Sequence, residues 1–200
     1  MKINSRSFRI WTDVSTAFNR YRIQQAGGSI GDNFETRGRI LLSLHSPHGV
    51  TIGKNVTVNS APLADPVGGG ESTVFATFGQ GEILIGDRVG ISNSAICASQ
   101  MVMIENDVMI GAGCRIWDTD FHAADPDKRL AGERGSSKPV VIMQRAFIGG
   151  GSIILKGVII GENAVIGAGS VVTKSVPDGE IWAGNPAHRI GTVAVEPEGE

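Results

Sequence analysis

The sequence predicts an all-β chain wound as one parallel coil, and three observations predict it. Residues 142–177 read in sixes: IMQRAF, IGGGSI, ILKGVI, IGENAV, IGAGSV, VTKSVP. Each hexad opens on Ile or Val, and its fifth place holds Ala, Ser or Val. Glycine supplies 28 of 200 residues, about twice its usual share of roughly 7%, and it follows the repeats. Aromatics are only 6%, in keeping with a core stacked from Ile, Val and Ala. A fixed period this short marks stacked repeats. Side chains alternate faces along a strand, so the first and fifth residues of a hexad point inward. Three hexads close a triangular turn of 18 residues, with each residue above the one 18 earlier. The spacing between turns is about 4.8 Å, with parallel ladders. Ile142 is therefore expected on Ile160, Ile148 on Ile166 and Ile154 on Val172. Burying one such side chain contributes roughly 1.5–3 kcal/mol, so the stack is the main source of stability.

Residues 1–29 do not repeat and read as a partly helical cap. Val14, Ala17, Phe18 and Tyr21 fall at helical spacing, with Asp13 or Ser15 as N-cap and Gly27-Gly28 as stop. A short amphipathic helix there would cover one end of the coil, whose terminal strands have unpaired edges. Docking on a membrane is the weaker reading, because the apolar face is short.

The coil itself is placed at 30–186. Its first pieces are IGDNFE (30–35) and IGKNVTVNSA from Ile52, with a strand and turn in LLSLHSPHG (41–49) between them. SAPLADPVGGGES (60–72) is a loop leaving at a corner, and TVFATF (73–78) is a strand. Regular hexads return at 85–96. CASQMVM (97–103) is one residue too long, which suggests a bulge. IENDVM, IGAGCR and IWDTDF follow, up to residue 121. The polar segment HAADPDKRLAGERGSSKP (122–139) then interrupts the coil, and an excursion of this length in a regular coil tends to be functional. The remainder, 187–200, reads as a C-terminal tail, acidic and disordered at its end.

Two hundred residues suit one domain with a real core. A net charge of −2 leaves no basic footprint for nucleic acid. Cys97 and Cys114 fall where small buried residues are expected, so they read as reduced thiols of a cytoplasmic protein. No apolar run approaches the roughly 20 residues that span a bilayer, and the N-terminus lacks the apolar core of a signal peptide. No membrane insertion is expected.

Of four histidines, His122 is the informative one. It ends DTDFH, where the long loop leaves the coil, with Asp118 and Asp120 close by in sequence. A carboxylate beside an imidazole can fix its tautomer and raise its basicity. A histidine on a surface loop is, taken alone, more often simply solvated. His45 and His48 flank a proline turn and read as loop residues, and His188 reads as surface.

The order of segments sharpens this. Hexads, IGAGCRIWDTDFH, a loop, IGGGSIILKGVIIGENAVIGAGSVVTKSVP and then WAGNPAHRI resemble the hexapeptide-repeat acyltransferases over residues 50–190. The nearest branch is the maltose/galactoside O-acetyltransferase-like group, which includes enzymes of polysaccharide biosynthesis. IGAGSVVTK and AGNPA are specific in combination, whereas a single hexad is not. The resemblance implies a left-handed parallel β-helix, although the usual crossover rule favours the right hand. It implies acetyl-CoA as co-substrate and a homotrimer with sites between subunits. It also implies His122 as the general base that deprotonates a hydroxyl of a sugar or glycan precursor; Asp120, two residues before it in sequence, is the candidate carboxylate beside it.

The cofactor side is carried over to Gly149, Gly150, Ala168, Thr173, Lys174, Trp182, Asn185 and Pro186, with Arg189 assisting. Relatives often have Ser or Asn where this chain has Gly150, and Trp where it has Phe147. Hexads need small residues at Gly149 and Ala168 in any case, and Lys174 can equally be a solvated lysine. Asn93 and Arg129 are the acceptor candidates, with Asn59 and Arg134 near the same cleft. The alternatives are N-acetylation of a nucleotide-linked amino sugar, or a coil that is only a scaffold. The zinc carbonic anhydrases that share this coil need three histidines, and His122 has none within 60 residues on either side. No metal is expected.

Overall fold

The computed structural model describes residues 5–46, 49–62, 64–65, 67 and 71–194. His48 and the end of the acidic tail therefore lie outside the described residues. After helix α1 (Ser5–Gln25) the chain makes six coils. The first is β1 (Ser29–Ile30), β2 (Glu35–Gly38) and β3 (Leu41–Leu44); the second is β4 (Val50–Ile52), β5 (Thr57–Ser60) and β6 (Val74–Thr77). The third is β7 (Glu82–Ile85), β8 (Gly90–Ser92) and β9 (Ala95–Ala98); the fourth is β10 (Met101–Ile104), β11 (Met109–Ile110) and β12 (Arg115–Trp117). The excursion carries a short helix, α2 (Pro126–Leu130). Coil five is β13 (Val140–Ile142), β14 (Phe147–Ile148) and β15 (Ile153–Ile154), and coil six is β16 (Ile159–Ile160), β17 (Val165–Ile166) and β18 (Val171–Val172). A final hairpin, β19 (Glu180–Gly184) and β20 (Ala187–Thr192), follows.

The coils build three parallel sheets, the architecture of a left-handed β-helix. Sheet A is β1-β4-β7-β10-β13-β16, sheet B runs β2-β5-β8-β11-β14-β17-β19-β20, and sheet C is β3-β6-β9-β12-β15-β18. Ile142 pairs with Ile160, Ile148 with Ile166 and Ile154 with Val172, as the hexads require. The column continues downward in sheet A through Ile104, Ile85, Ile52 and Ile30. Most of these side chains are fully buried.

Between Ile91 and Ile96 the chain is one residue short of a hexad, and a surplus of two before Val102 leaves this turn one residue longer than 18. No bulge forms. β9 pairs with β12 and β10 with β7 in unbroken register, and the additional residues sit in the corner at Ser99-Gln100. The buried carboxylate of Asp118 holds that corner: it accepts from the amides of Ser99, Gln100 and Met101 at 2.7, 2.6 and 2.7 Å.

The cap differs from expectation in length and orientation. The helix begins at Ser5 instead of Asp13, and it ends in a turn where Gly28 donates to Ile23 and Gly27 to Gln24. Val14, Ala17, Phe18 and Tyr21 face outward, while Thr12, Ser15, Asn19 and Ile23 are buried. The reason is chemical. The first coil presents unpaired edge amides and carbonyls, and these need polar partners. Asn19 donates to Gly38 O at 2.8 Å and to Thr36 Oγ1 at 2.9 Å, and accepts from the Ile40 amide at 3.0 Å. Arg20 and Arg22 donate to the Gly31 and Ile40 carbonyls. At the other end, Ala187–Thr192, read from sequence as part of a tail, is a strand antiparallel to β19.

Candidate functional site

Two opposite edges of sheet C carry the candidate residues. One edge is the corner where sheet C passes to sheet A. Here the chain leaves β12, and Phe121 takes a left-handed φ of 58°. For a bulky residue this backbone costs about 1–2 kcal/mol. Its ring stands edge-on to Phe78 at 5.9 Å and tilted to Trp117 at 6.2 Å, which holds the conformation. His122 follows, exposed, and its amide donates to Asp120 O at 2.6 Å. The returning limb passes close at Gly135. A Cβ there would overlap the His122 carbonyl oxygen and lie 2.6 Å from Asp120 Cβ, so only glycine permits this approach. Phe78, Ser99, Thr119, Phe121, His122 and Arg134 line a cleft of about 220 Å³.

Neither aspartate orients the imidazole. Asp118 is committed to the three corner amides. Asp120 accepts from Lys156 Nζ and, at 3.0 Å, from Ser136 Oγ. The Lys156 ammonium, with Ser136 helping, holds the Asp120 carboxyl below the usual carboxylate range. Its role in the structure is to tie the excursion loop to coil five. The acceptor candidates separate as well. Asn93 is fully buried, at φ 43° in the shortened corner, with its Nδ2 on the Glu71 carbonyl. It therefore does not reach an acceptor surface. Arg129 donates to the carbonyls of Ala123 and Ala124 at 3.0 and 2.9 Å, bracing the loop. Arg134 takes its place in the His122 cleft and has no ion-pair partner among the described residues.

The other edge is the corner where sheet B passes to sheet C. Gly113, Gly151 and Gly169 turn it at φ 74°, 73° and 70°, which leaves backbone instead of side chains on the surface. Val67, Glu71, Ala112, Gly113, Arg115, Gly150, Gly151 and Ala168 line a cleft of about 460 Å³. The amides of Gly150 and Ala168 have no acceptor among the described residues. Gly149 lies beneath this surface; it is buried, and its carbonyl accepts from Cys114 Sγ at 3.3 Å. Burial pushes the Cys114 thiol up, as it does the half-buried Cys97.

A third cleft, about 480 Å³, lies at the open edge of sheet C beside β18 and the last hairpin. It gathers Thr173, Lys174, Trp182, Asn185 and Pro186 with Ala187 and His188. Five of the eight predicted cofactor residues thus meet in one place, and His188 joins them unforeseen. Glu180 accepts from Trp182 Nε1 at 2.7 Å and pairs with Arg189 at 3.0 Å, which fixes both side chains on the hairpin. Leu155 donates to the Val172 carbonyl, so Lys156 and Lys174 rise on successive coils above the His122 corner.

The sequence signals for Arg134 and Phe121 were weak. A charged loop offers several arginines, and only the folded return limb selects one. Phe121 occupies a hexad position where its strained φ leaves no trace in sequence.

Residues 139–174 match the family model described as bacterial transferase hexapeptide (six repeats). No curated protein matches the chain in sequence. Among solved structures, a point variant of AntD, an N-acyltransferase from Bacillus cereus in complex with dTDP-4-amino-4,6-dideoxyglucose and coenzyme A, is 19% identical with a TM-score of 0.69. The match covers 88% of this chain and 90% of that one. AntD with dTDP and 3-hydroxybutyryl-CoA is 18% identical, TM-score 0.68, over 88% of both chains. A hexapeptide-repeat containing acetyltransferase from Vibrio cholerae is 23% identical, TM-score 0.57, over 94% of this chain and 86% of that one. At such identities the likeness is one of fold. The protein is a left-handed β-helix whose residues 139–174 carry the hexapeptide repeats of bacterial transferases.

Proposed function

We propose that the protein is an acetyl-CoA-dependent O-acetyltransferase of the maltose/galactoside type, acting on a hydroxyl of a sugar or glycan precursor. The observation that carries this reading is His122. It is an exposed imidazole, without a side-chain partner among the described residues, in a cleft floored by aromatic rings and beside the free cation of Arg134. Aromatic faces suit the apolar faces of sugars, and the unpaired ring nitrogen is available to an acceptor hydroxyl.

In this reading His122 takes the hydroxyl proton as the oxygen attacks the thioester carbonyl. An unpaired backbone amide, Gly150 or Ala168, donates to the tetrahedral oxyanion. When the intermediate collapses, the C–S bond breaks and the imidazolium returns its proton to the coenzyme A thiolate. The other of the Gly150 and Ala168 amides fits a carbonyl of the pantetheine arm, and Lys174 fits a phosphate as a point charge. Trp182, Asn185 and Pro186 would stand against the adenine end. His122 and the glycine corner sit on opposite edges of sheet C in one chain. A homotrimer that sets one chain's His122 corner against its neighbour's glycine corner would complete the site.

Calorimetric titration with acetyl-CoA tests the reading first, since a pure scaffold shows no heat of binding. Product analysis after incubation with a panel of sugars then tests the acceptor. A second reading, N-acylation of a nucleotide-linked amino sugar, is favoured by the ligands of the AntD structures. An amide product in place of an ester would establish it.

A further inference from the structure

The cap helix leaves its apolar face uncovered. Ile10, Val14, Phe18 and Tyr21 recur at helical spacing and are 55, 63, 45 and 62% exposed. The opposite, polar face is consumed in closing the coil, so these four side chains are not part of the core. Trp11, half-buried, borders the stripe, with its ring centroid 5.6 Å from that of Phe8, which lies on the coil-facing column with Thr12, Ser15 and Asn19.

Arginines rim the stripe. Arg22 and Arg39 lie over the Phe18 ring at 5.6 and 5.8 Å, and Arg37 lies over Phe8 at 5.9 Å. Arg6 and Arg9 are exposed and have no ion-pair partner among the described residues. The helix holds one acidic residue, Asp13, against four arginines. This local excess runs against the rest of the chain. Residues 1–40 carry seven basic and three acidic side chains, a net +4, whereas residues 41–200 carry eleven and seventeen, a net −6. Charge is thus separated along the coil axis, with the basic end bearing the aromatic stripe.

We infer that this end is a peripheral docking surface for an anionic lipid bilayer, with the Ile10–Val14–Phe18–Tyr21 stripe entering the headgroup boundary and the arginines around it on acidic headgroups. Aromatic and aliphatic side chains on one face with arginines beside them are the composition of interfacial helices. A helix already pinned by its polar face presents the apolar face without a folding step. A second copy is disfavoured as the occupant, because a two-fold pair would set the two arginine rims against each other. No helix among the described residues is long and apolar enough to cross a membrane, so the contact is with the surface.

The test is co-sedimentation of the full chain with large vesicles of pure phosphatidylcholine and of phosphatidylcholine with phosphatidylglycerol. Binding to the mixed vesicles only, weakening as salt is raised, is expected. Val14→Ser with Phe18→Ser should abolish it, and both sites are exposed enough to leave the coil intact. Arg6→Ser with Arg9→Ser leaves the stripe untouched and tests the proposal independently of how the first variant folds. At about fivefold per arginine near an anionic surface, a loss of roughly 25-fold is expected. The proposal is overturned if the mixed vesicles bind nothing, if both vesicle types bind alike, or if either variant binds as wild type. A wild-type assembly that shrinks in sedimentation velocity when the stripe is replaced would assign the face to a second copy instead.

Discussion

The two edges of sheet C are built from the same strands and do opposite things. The edge towards sheet B follows the hexads strictly from the fourth coil onward; in the coils below, the 60–72 loop and the shortened corner at Asn93 depart from them. In those upper coils its turns are glycines and peptide amides form much of the surface, with Glu71 and Arg115 at its side. The edge towards sheet A departs from the hexads twice, at Ser99-Gln100 and at the excursion after β12, and it displays an imidazole, a guanidinium and aromatic rings. Regularity produces a backbone surface that can bind an extended, repetitive molecule. Irregularity brings in the side chains that chemistry requires. The excursion is stable because buried Asp118 and the Asp120–Lys156 tie anchor it to the coil.

That contrast breaks most sharply at the irregular edge. His122→Ala should lower kcat at least about 100-fold while changing acetyl-CoA affinity much less; steady-state kinetics beside calorimetry would show it, and a near wild-type rate removes the general-base assignment. Asp118→Ala orphans three corner amides and should cost about 2 kcal/mol or more, read as a lower urea midpoint; an unchanged midpoint would mean that the corner holds itself. Arg134→Ala and Lys174→Ala should separate the two partners. The first raises the acceptor KM about tenfold and leaves the acetyl-CoA Kd alone, and the second does the reverse. Equal effects on both ligands would contradict the division of labour.

The smallest effect concerns acid. Asp120 is held below the ordinary carboxylate value of about 4. Its tie to Lys156 is therefore complete above that value and is lost as pH falls through the lowered one. Limited proteolysis of the 122–139 loop should stay slow down to about pH 4 and rise below it. Asp120→Asn should cleave faster already at neutral pH. An exposed ion pair contributes little to global stability, so the thermal midpoint should hardly move.

Much of the coil was legible because hexads state their own register. Ile142, Ile148 and Ile154 could be assigned partners from spacing alone, since the first and fifth residues of every hexad must face inward. The lower coils were harder to read. Between Ile91 and Ile104 a residue is missing at one corner and surplus residues stand at the next, and Asn93, an acceptor candidate as a polar residue near the implied cleft, turns inward. At the site, His122 was legible from its place at the start of the loop, but its surroundings were not. Asp120 is close in sequence yet points to Lys156, because a loop's return path decides which groups meet.

The cap carries the same lesson in reverse. Helical spacing in 13–21 was visible, and the usual inference put its apolar face against the protein. The end of a coil is an exception, because its exposed surface is a row of unpaired peptide groups. Asn19, Arg20 and Arg22 satisfy them, and the apolar side is left outside. By itself the sequence determined the period, the inward columns, the point where the coil is interrupted and the single histidine placed there, since each depends only on spacing along one chain. The tertiary structure alone decided which face of the cap is free, which carboxylates hold backbone and which arginine stands beside His122. Those outcomes depend on hydrogen-bonding groups that meet only after the chain has turned back on itself.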